Sequence, residues 1–121
     1  MVVAKDFMQR QFVGVSRTTK TASALKLAEA AKVDLMPVLE DEKLYGIITT
    51  TNLEINSHKD FDVGKIMDKP IFIEATTRLE DAAGIMIEYG IGRVPVVESK
   101  DTMICIGMVT STDIVNASKK N

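Results

Sequence analysis

The chain has 121 residues, 45% of them hydrophobic and 26% charged, with a formal net charge of −2. This suits one compact domain or two small interdependent halves, and it offers no general attraction to nucleic acid or an anionic membrane. No apolar run approaches the roughly 20 residues of a membrane span, and the N-terminus lacks a signal-peptide layout.

In chain order, residues 4–8 form a short helical turn and Phe12-Val13-Gly14-Val15 an apolar strand. Thr18, Thr19 and Thr21 are candidate caps for a helix over 22–31, where Ala24, Leu25, Leu27, Ala28 and Ala31 recur near helical spacing. A strand over 36–39, a charged turn Glu40-Asp41-Glu42-Lys43 and a strand over 44–49 follow. Thr50 or Thr51 then caps a short helix through Ile55.

The same order returns. Residues 63–67 are a helical turn, Ile71-Phe72-Ile73 a strand, and Thr77 the cap of a helix over 79–89. Gly90 suits a left-handed helix stop, because glycine carries no Cβ penalty there. A strand over 94–97, a turn over 98–102, a strand over 103–109 and a helix over 111–117 complete the copy. Met36, Met86 and Met103 are expected to fill core gaps. The lone Cys105 sits in an apolar run, which points to a buried strand residue in a reducing cytoplasm.

Pro95 follows Pro37 by 58 positions and Ala82 follows Ala24 by the same 58, whereas Gly107 follows Gly46 by 61. The second hairpin turn therefore holds three extra residues, a change that turns tolerate and cores do not. Internal repetition of this kind makes the chain one two-fold object. The expected division is a first repeat over 1–57, a linker over 58–62 and a second repeat over 63–121. Each repeat is a β-α-β-β-α unit, giving an α+β (α/β) fold whose small sheets are expected to pack together. His58 reads as a solvated linker residue, and with one His and one Cys no metal site is expected.

These residues resemble a tandem pair of cystathionine-β-synthase (CBS) domains, a Bateman module, over about residues 4–118. The resemblance rests on an ordered set occurring twice: Met8 and Met67, Ala24 and Ala82, Pro37-Val38 and Pro95-Val96, and a Gly-x-x-Thr-x-x-Asp/Asn hairpin exit. The exits are Gly46 to Asn52 and Gly107 to Asp113. The resemblance implies a regulatory module that binds adenosine-type ligands in the cleft between the repeats; many members are fused to an effector domain, and with none in this sequence a stand-alone pair is expected. AMP, ADP and ATP head the expected ligands, followed by S-adenosylmethionine and dinucleotides. It also implies a homodimer, a disc of four repeats, and an energy-sensing role.

The chemistry supports this. A helix start exposes backbone N–H groups and a partial positive charge, which favours phosphate. The Thr110 hydroxyl can donate to a phosphate or ribose oxygen, and the Asp113 carboxylate can accept from two vicinal hydroxyls. By position these are the family roles that Thr110 and Asp113 inherit; helix capping is the competing and compatible role. Gly92-Arg93-Val94-Pro95-Val96 resembles the His-Arg-hydrophobic-Pro-Val segments of the AMP-activated protein kinase gamma subunit, where the Arg meets phosphate. Gly92 replaces that His, which leaves one phosphate contact in question.

In the first copy Leu35 stands for Arg93 and Asn52 for Asp113. Unequal sites are therefore expected: a stronger one from Arg93, Thr110, Asp113, Met108, Ile71 and Phe72, and a weaker one from Thr49, Asn52, Phe12, Val13 and Ile47. The apolar members would face the adenine or pack in the core. No nucleophile–base pair or P-loop is present, so the chain reads as non-catalytic, without a cofactor, acting on a separate regulated protein. A ligand-independent dimerisation module using Ile85, Met86 and Tyr89 is the alternative. Nucleic-acid binding fits poorly with the acidic balance and two Tyr residues.

Overall fold

The computed structural model describes residues 1–120. Helices are α1 (Ala4–Phe7), α2 (Thr21–Ala31), α3 (Thr50–Ile55), α4 (Val63–Ile66), α5 (Leu79–Tyr89) and α6 (Ser111–Lys119). Strands are β1 (Leu35–Glu40), β2 (Lys43–Thr49), β3 (Ile73–Glu74), β4 (Arg93–Val97) and β5 (Cys105–Thr110). The elements gather into two compact units that do not coincide with the sequence repeats. Residues 13–70 form one; residues 1–12 and the described residues from 71 to 120 form the other.

The discontinuous unit holds a three-stranded sheet in the order β3-β4-β5, parallel between β3 and β4 and antiparallel between β4 and β5. Helix α1 joins it through backbone bonds: Ala4 N donates to Thr77 O, Lys5 N to Ala75 O, and Leu79 N to Val2 O. Its core comprises Ala4, Met8, Ile73, Ala82, Met86, Val94, Val96 and Val109. The contiguous unit has an antiparallel β1–β2 pair, and Val15 adds a parallel bridge to Val38. Its core comprises Val15, Ala24, Ala28, Met36, Val38, Ile48, Leu53 and Val63. Matched positions trade volume: Ala28 and Met36 in one core stand for Met86 and Val94 in the other. The bulk moves from strand to helix, and such volume-conserving exchanges are tolerated best.

Both hairpins carry an irregularity at the matched step, between Val38 and Leu39 and between Val96 and Val97. Both also bury a proline, opposite Ile47 and Met108 respectively. Proline has no N–H, so it fits a sheet only where no ladder bond is needed. Here the opposite residues turn their backbone groups outward. Ile47 exchanges two bonds with Asp68 (3.1 and 2.9 Å), and Met108 two with Gln9 (2.9 and 2.8 Å). The turn that precedes each repeat in sequence is thereby bonded to the hairpin of the other repeat.

Several expectations need correction. The leading strands are far shorter than expected: Val15 makes only an isolated bridge, and β3 begins at Ile73, leaving Ile71 and Phe72 before it. Strand β5 begins at Cys105, and Met103 is a turn residue with φ 56°, half-buried outside the strand. Met36 and Met86 are in the core as expected. Neither Thr21 nor Thr77 is a cap. Lys20 and Arg78 occupy those cap positions with no side-chain cap bond, because the hydroxyls are engaged elsewhere. The Thr21 hydroxyl donates to Phe61 O, and the Thr77 hydroxyl accepts from Glu74 N. The cap of α3 is Thr49, one residue before the expected pair. Gly90 closes α5 with φ 64°, as expected; Lys32 closes α2 at the matched position with φ 58°.

Candidate functional site

Strand β5 delivers its last residue, Thr110, as the cap of the nine-residue helix α6. The Thr110 hydroxyl accepts from Asp113 N at 3.1 Å, and Thr110 N donates to Asp113 Oδ2 at 2.9 Å. This reciprocal pair is a capping box, so the capping role is realised. Arg93 pairs directly with Thr110 in the β4–β5 ladder, which holds the two side-chain origins together on adjacent strands. Ser111 N donates to Gly92 O at 2.9 Å and fixes the strand start against the helix start.

A further residue enters that sequence reasoning did not single out. Gln9 Nε2 donates to both carboxylate oxygens of Asp113, at 3.1 and 3.2 Å. Its backbone is the partner of Met108, two residues before the cap. The available signal was the pairing of the two methionines with the two hairpin glycines. A Cβ on Gly107 would lie 2.7 Å from Met8 Sδ and 2.8 Å from Gln9 O. On Gly46 it would lie 2.6 Å from Asp68 O and 2.7 Å from Met67 Sδ. Each glycine of the Gly-x-x-Thr segment is what lets a leading turn press against a hairpin.

The expected stronger-site residues are thus brought together in part. Arg93, Thr110 and Asp113 cluster around the start of α6. Met108 lies on the same strand, 5% exposed and committed to the interior. Ile71 packs against the core of its unit and Phe72 is half-buried; neither belongs to the ladder joining Arg93 to Thr110. A cavity of about 270 Å³ borders Asp113 on the helix side, lined also by Val2, Asp6, Phe7, Asn116 and Lys120. It lies just under the range of about 300–1,000 Å³ usual for small-molecule pockets, and none of the other expected site residues lines it.

At the matched place in the contiguous unit, Thr49 caps α3 and accepts from Asn52 N at 3.2 Å. The Asn52 amide is used at both ends. Its nitrogen donates to Ile66 O at 2.6 Å, and its oxygen accepts from Asn56 Nδ2 at 2.8 Å. Opposite Thr49 stands Leu35, 4% exposed, a hydrocarbon where the other unit has a guanidinium. Ile47 is 2% exposed and belongs to the interior, while Val13 packs at the edge of that unit's core. Phe12 is half-buried and closes the first segment of the other unit.

Cys105 is buried, its Sγ 3.7 Å from Gly107 O, and desolvation pushes its thiol pKa up to about 11. Among the described residues no group of His, Cys, Asp and Glu could hold a metal ion, and no helix is long and apolar enough to cross a membrane.

Two repeats of mixed α and β structure, each ending its hairpin in a capped helix start, define a tandem-repeat module. The CBS domain model matches residues 4–54 and 63–120, and the chain belongs to the CBS domain family as a tandem pair. It is similar to CBSX2 of Arabidopsis thaliana, solved in complex with AMP: 28% identity, TM-score 0.85, covering 99% of this chain and 98% of that one. It is similar to the CBS domain pair of protein MJ0100, solved with 5′-methylthioadenosine and S-adenosyl-L-methionine: 25% identity, TM-score 0.82, covering 97% and 99%. It is also 30% identical over 116 residues to a homoserine O-acetyltransferase of Methanosarcina acetivorans, covering 93% of this chain and 21% of that protein. The chain spans 21–44% of the length of three curated relatives, this one included.

Proposed function

We propose that the chain is a non-catalytic regulatory module that binds an adenine nucleotide, AMP, ADP or ATP, and signals to a separate protein in the cytoplasm. The observation that carries this reading is the pairing of Arg93 with Thr110 beside the Asp113 carboxylate at the start of a nine-residue helix. Arg93 supplies a permanent cation for phosphate, the helix start adds its partial charge, and Asp113 accepts from ribose hydroxyls. Half-buried Ile71 and Phe72 supply apolar surface for the base, backed by the buried Met108. The AMP complex of CBSX2 supports the ligand class. In the contiguous unit Thr49, Asn52 and Val13 form the weaker site over the buried Ile47, because Asn52 carries no charge and Leu35 cannot bind phosphate. Thermal shift with AMP, ADP, ATP and S-adenosylmethionine at millimolar concentration tests the proposal: saturating ligand raises the melting temperature. An unchanged melting temperature with all four removes its main support.

A second reading, a ligand-independent homodimer module, draws on one specific feature. Ile87 (81% exposed) and Val115 (51%) line a groove of about 370 Å³ beside α5 and α6, and Tyr89 (55%) is exposed on α5, whereas Met86, expected at this surface, is 4% exposed. Dimerisation unchanged by nucleotide, together with no thermal shift, would favour it.

A further inference from the structure

We infer that Gln9 is an internal competitor for the Asp113 carboxylate, its amide bonded where two ribose hydroxyls would bind. This rests on the nucleotide reading above and names how that site is tuned. A carboxylate only accepts hydrogen bonds, so the group facing it must be the amide nitrogen of Gln9. One NH₂ spans both oxygens, at 3.1 and 3.2 Å. Thr110 N and the two Gln9 bonds take three of the roughly four acceptor sites of the carboxylate, so a vicinal diol, which brings two donors, must displace at least one Gln9 bond.

The geometry suits an exchange. Both bonds are longer than the roughly 2.7–2.9 Å of strong charge-assisted pairs, and Gln9 is exposed, so the amide can be displaced at small cost. The Gln9 backbone stays where it is, pinned to Met108 at 2.8 and 2.9 Å. Ligand entry therefore asks for a side-chain rotation and no backbone rearrangement. The second capping-box bond, from Thr110 N to Asp113 Oδ2, holds the carboxylate in place throughout.

The contiguous unit lacks the device. Asp68 stands where Gln9 stands, bonded to Ile47 as Gln9 is to Met108, but a carboxylate there cannot donate. Asn52 instead spends its nitrogen on Ile66 O. The acid and the amide have exchanged places between the two units.

Calorimetric titration of AMP into the wild-type chain and into Gln9→Ala tests the inference. Removing the competitor should tighten AMP about two- to fivefold, the size of a modest exposed hydrogen-bond pair, and leave binding of adenine alone unchanged. In the wild type, the Gln9 side-chain NH₂ resonances should shift on AMP addition. Asp113→Ala without ligand should shift them the same way. Unchanged or weaker AMP binding by Gln9→Ala overturns the inference. If Asp113→Ala meanwhile loses tenfold, the nucleotide reading survives it. Failure of both proteins to bind AMP overturns the two together.

Discussion

Gln9 and Asp113 are 104 positions apart in the chain and meet through two hydrogen bonds, at 3.1 and 3.2 Å. One residue earlier, Met8 presses on Gly107, and the matched pair Met67 and Gly46 repeats the contact in the other unit. The Met and the Gly that mark each copy in sequence are two sides of one packing contact, drawn from opposite repeats.

That contact leaves no room for a methyl group. Gly46→Ala and Gly107→Ala should each destabilise by about 1–3 kcal/mol or more, since the nearest obstacles include backbone oxygens at 2.6 and 2.8 Å. Gly84→Ala, in the middle of α5 with nothing within 4 Å, should instead stabilise by about 0.5–1 kcal/mol. Urea denaturation of the three variants checks the signs.

Asp113 and Asn52 should separate affinity from stability. Asp113→Ala should weaken AMP binding about tenfold or more, from loss of a charge-assisted bond of roughly 1.5–3 kcal/mol, and cost only about 1 kcal/mol of folding stability as the lost second bond of the capping box. Asn52→Ala should weaken AMP less yet destabilise by about 1–3 kcal/mol, because it strips the partner from Ile66 O. Titration and denaturation of both variants should rank them in opposite orders; equal affinity losses would contradict unequal sites.

Arg93 should discriminate by phosphate. Arg93→Leu, which copies the residue at position 35, should lower affinity for AMP and ATP while leaving adenosine nearly unchanged. Competition titrations of adenosine against AMP measure the ratio. A parallel loss of adenosine binding would assign Arg93 a structural role instead.

Cys105 should make the fold sensitive to alkali. The folded thiol keeps its proton to about pH 11, whereas an unfolded thiol releases it near pH 9.0. Between those values the unfolded chain binds fewer protons, so stability falls as pH rises, by at most about 3 kcal/mol. Stability curves of wild type and Cys105→Ala should converge or cross above pH ~9, because only the wild type carries this slope. Below that window a thiol reagent should react only as fast as the chain opens.

The two helix stops offer a paired test. Gly90→Ala should cost about 1 kcal/mol, since an L side chain is forced to φ 64°. Lys32→Gly should gain a similar amount, because lysine already bears φ 58° at the matched stop. Thermal melts of the two variants should move in opposite directions.

Much of this fold was legible because its signals are local and occur twice. The offset of 58 between Pro37 and Pro95 placed both hairpins, the longer offset at Gly107 placed the extra turn residues, and Gly90 announced its own conformation. The caps went astray at Thr21 and Thr77 because distant carbonyl and amide groups claimed those hydroxyls. Gln9 was invisible for a related reason: its partner is set by which hairpin the leading turn joins, and periodicity within one repeat carries no trace of that choice.

The discontinuous unit also sets an order of assembly. Residues 13–70 hold all the contacts of their own unit and can close as soon as they exist as chain. The segment over 1–12 must wait for the sheet and helices of 71–120, with a whole folded unit strung between its two parts. Closing that long loop is entropically costly before its contacts are made, so the candidate nucleotide site should be the last region to form and the first to be lost. A bound ligand would then act as a late clasp on folding.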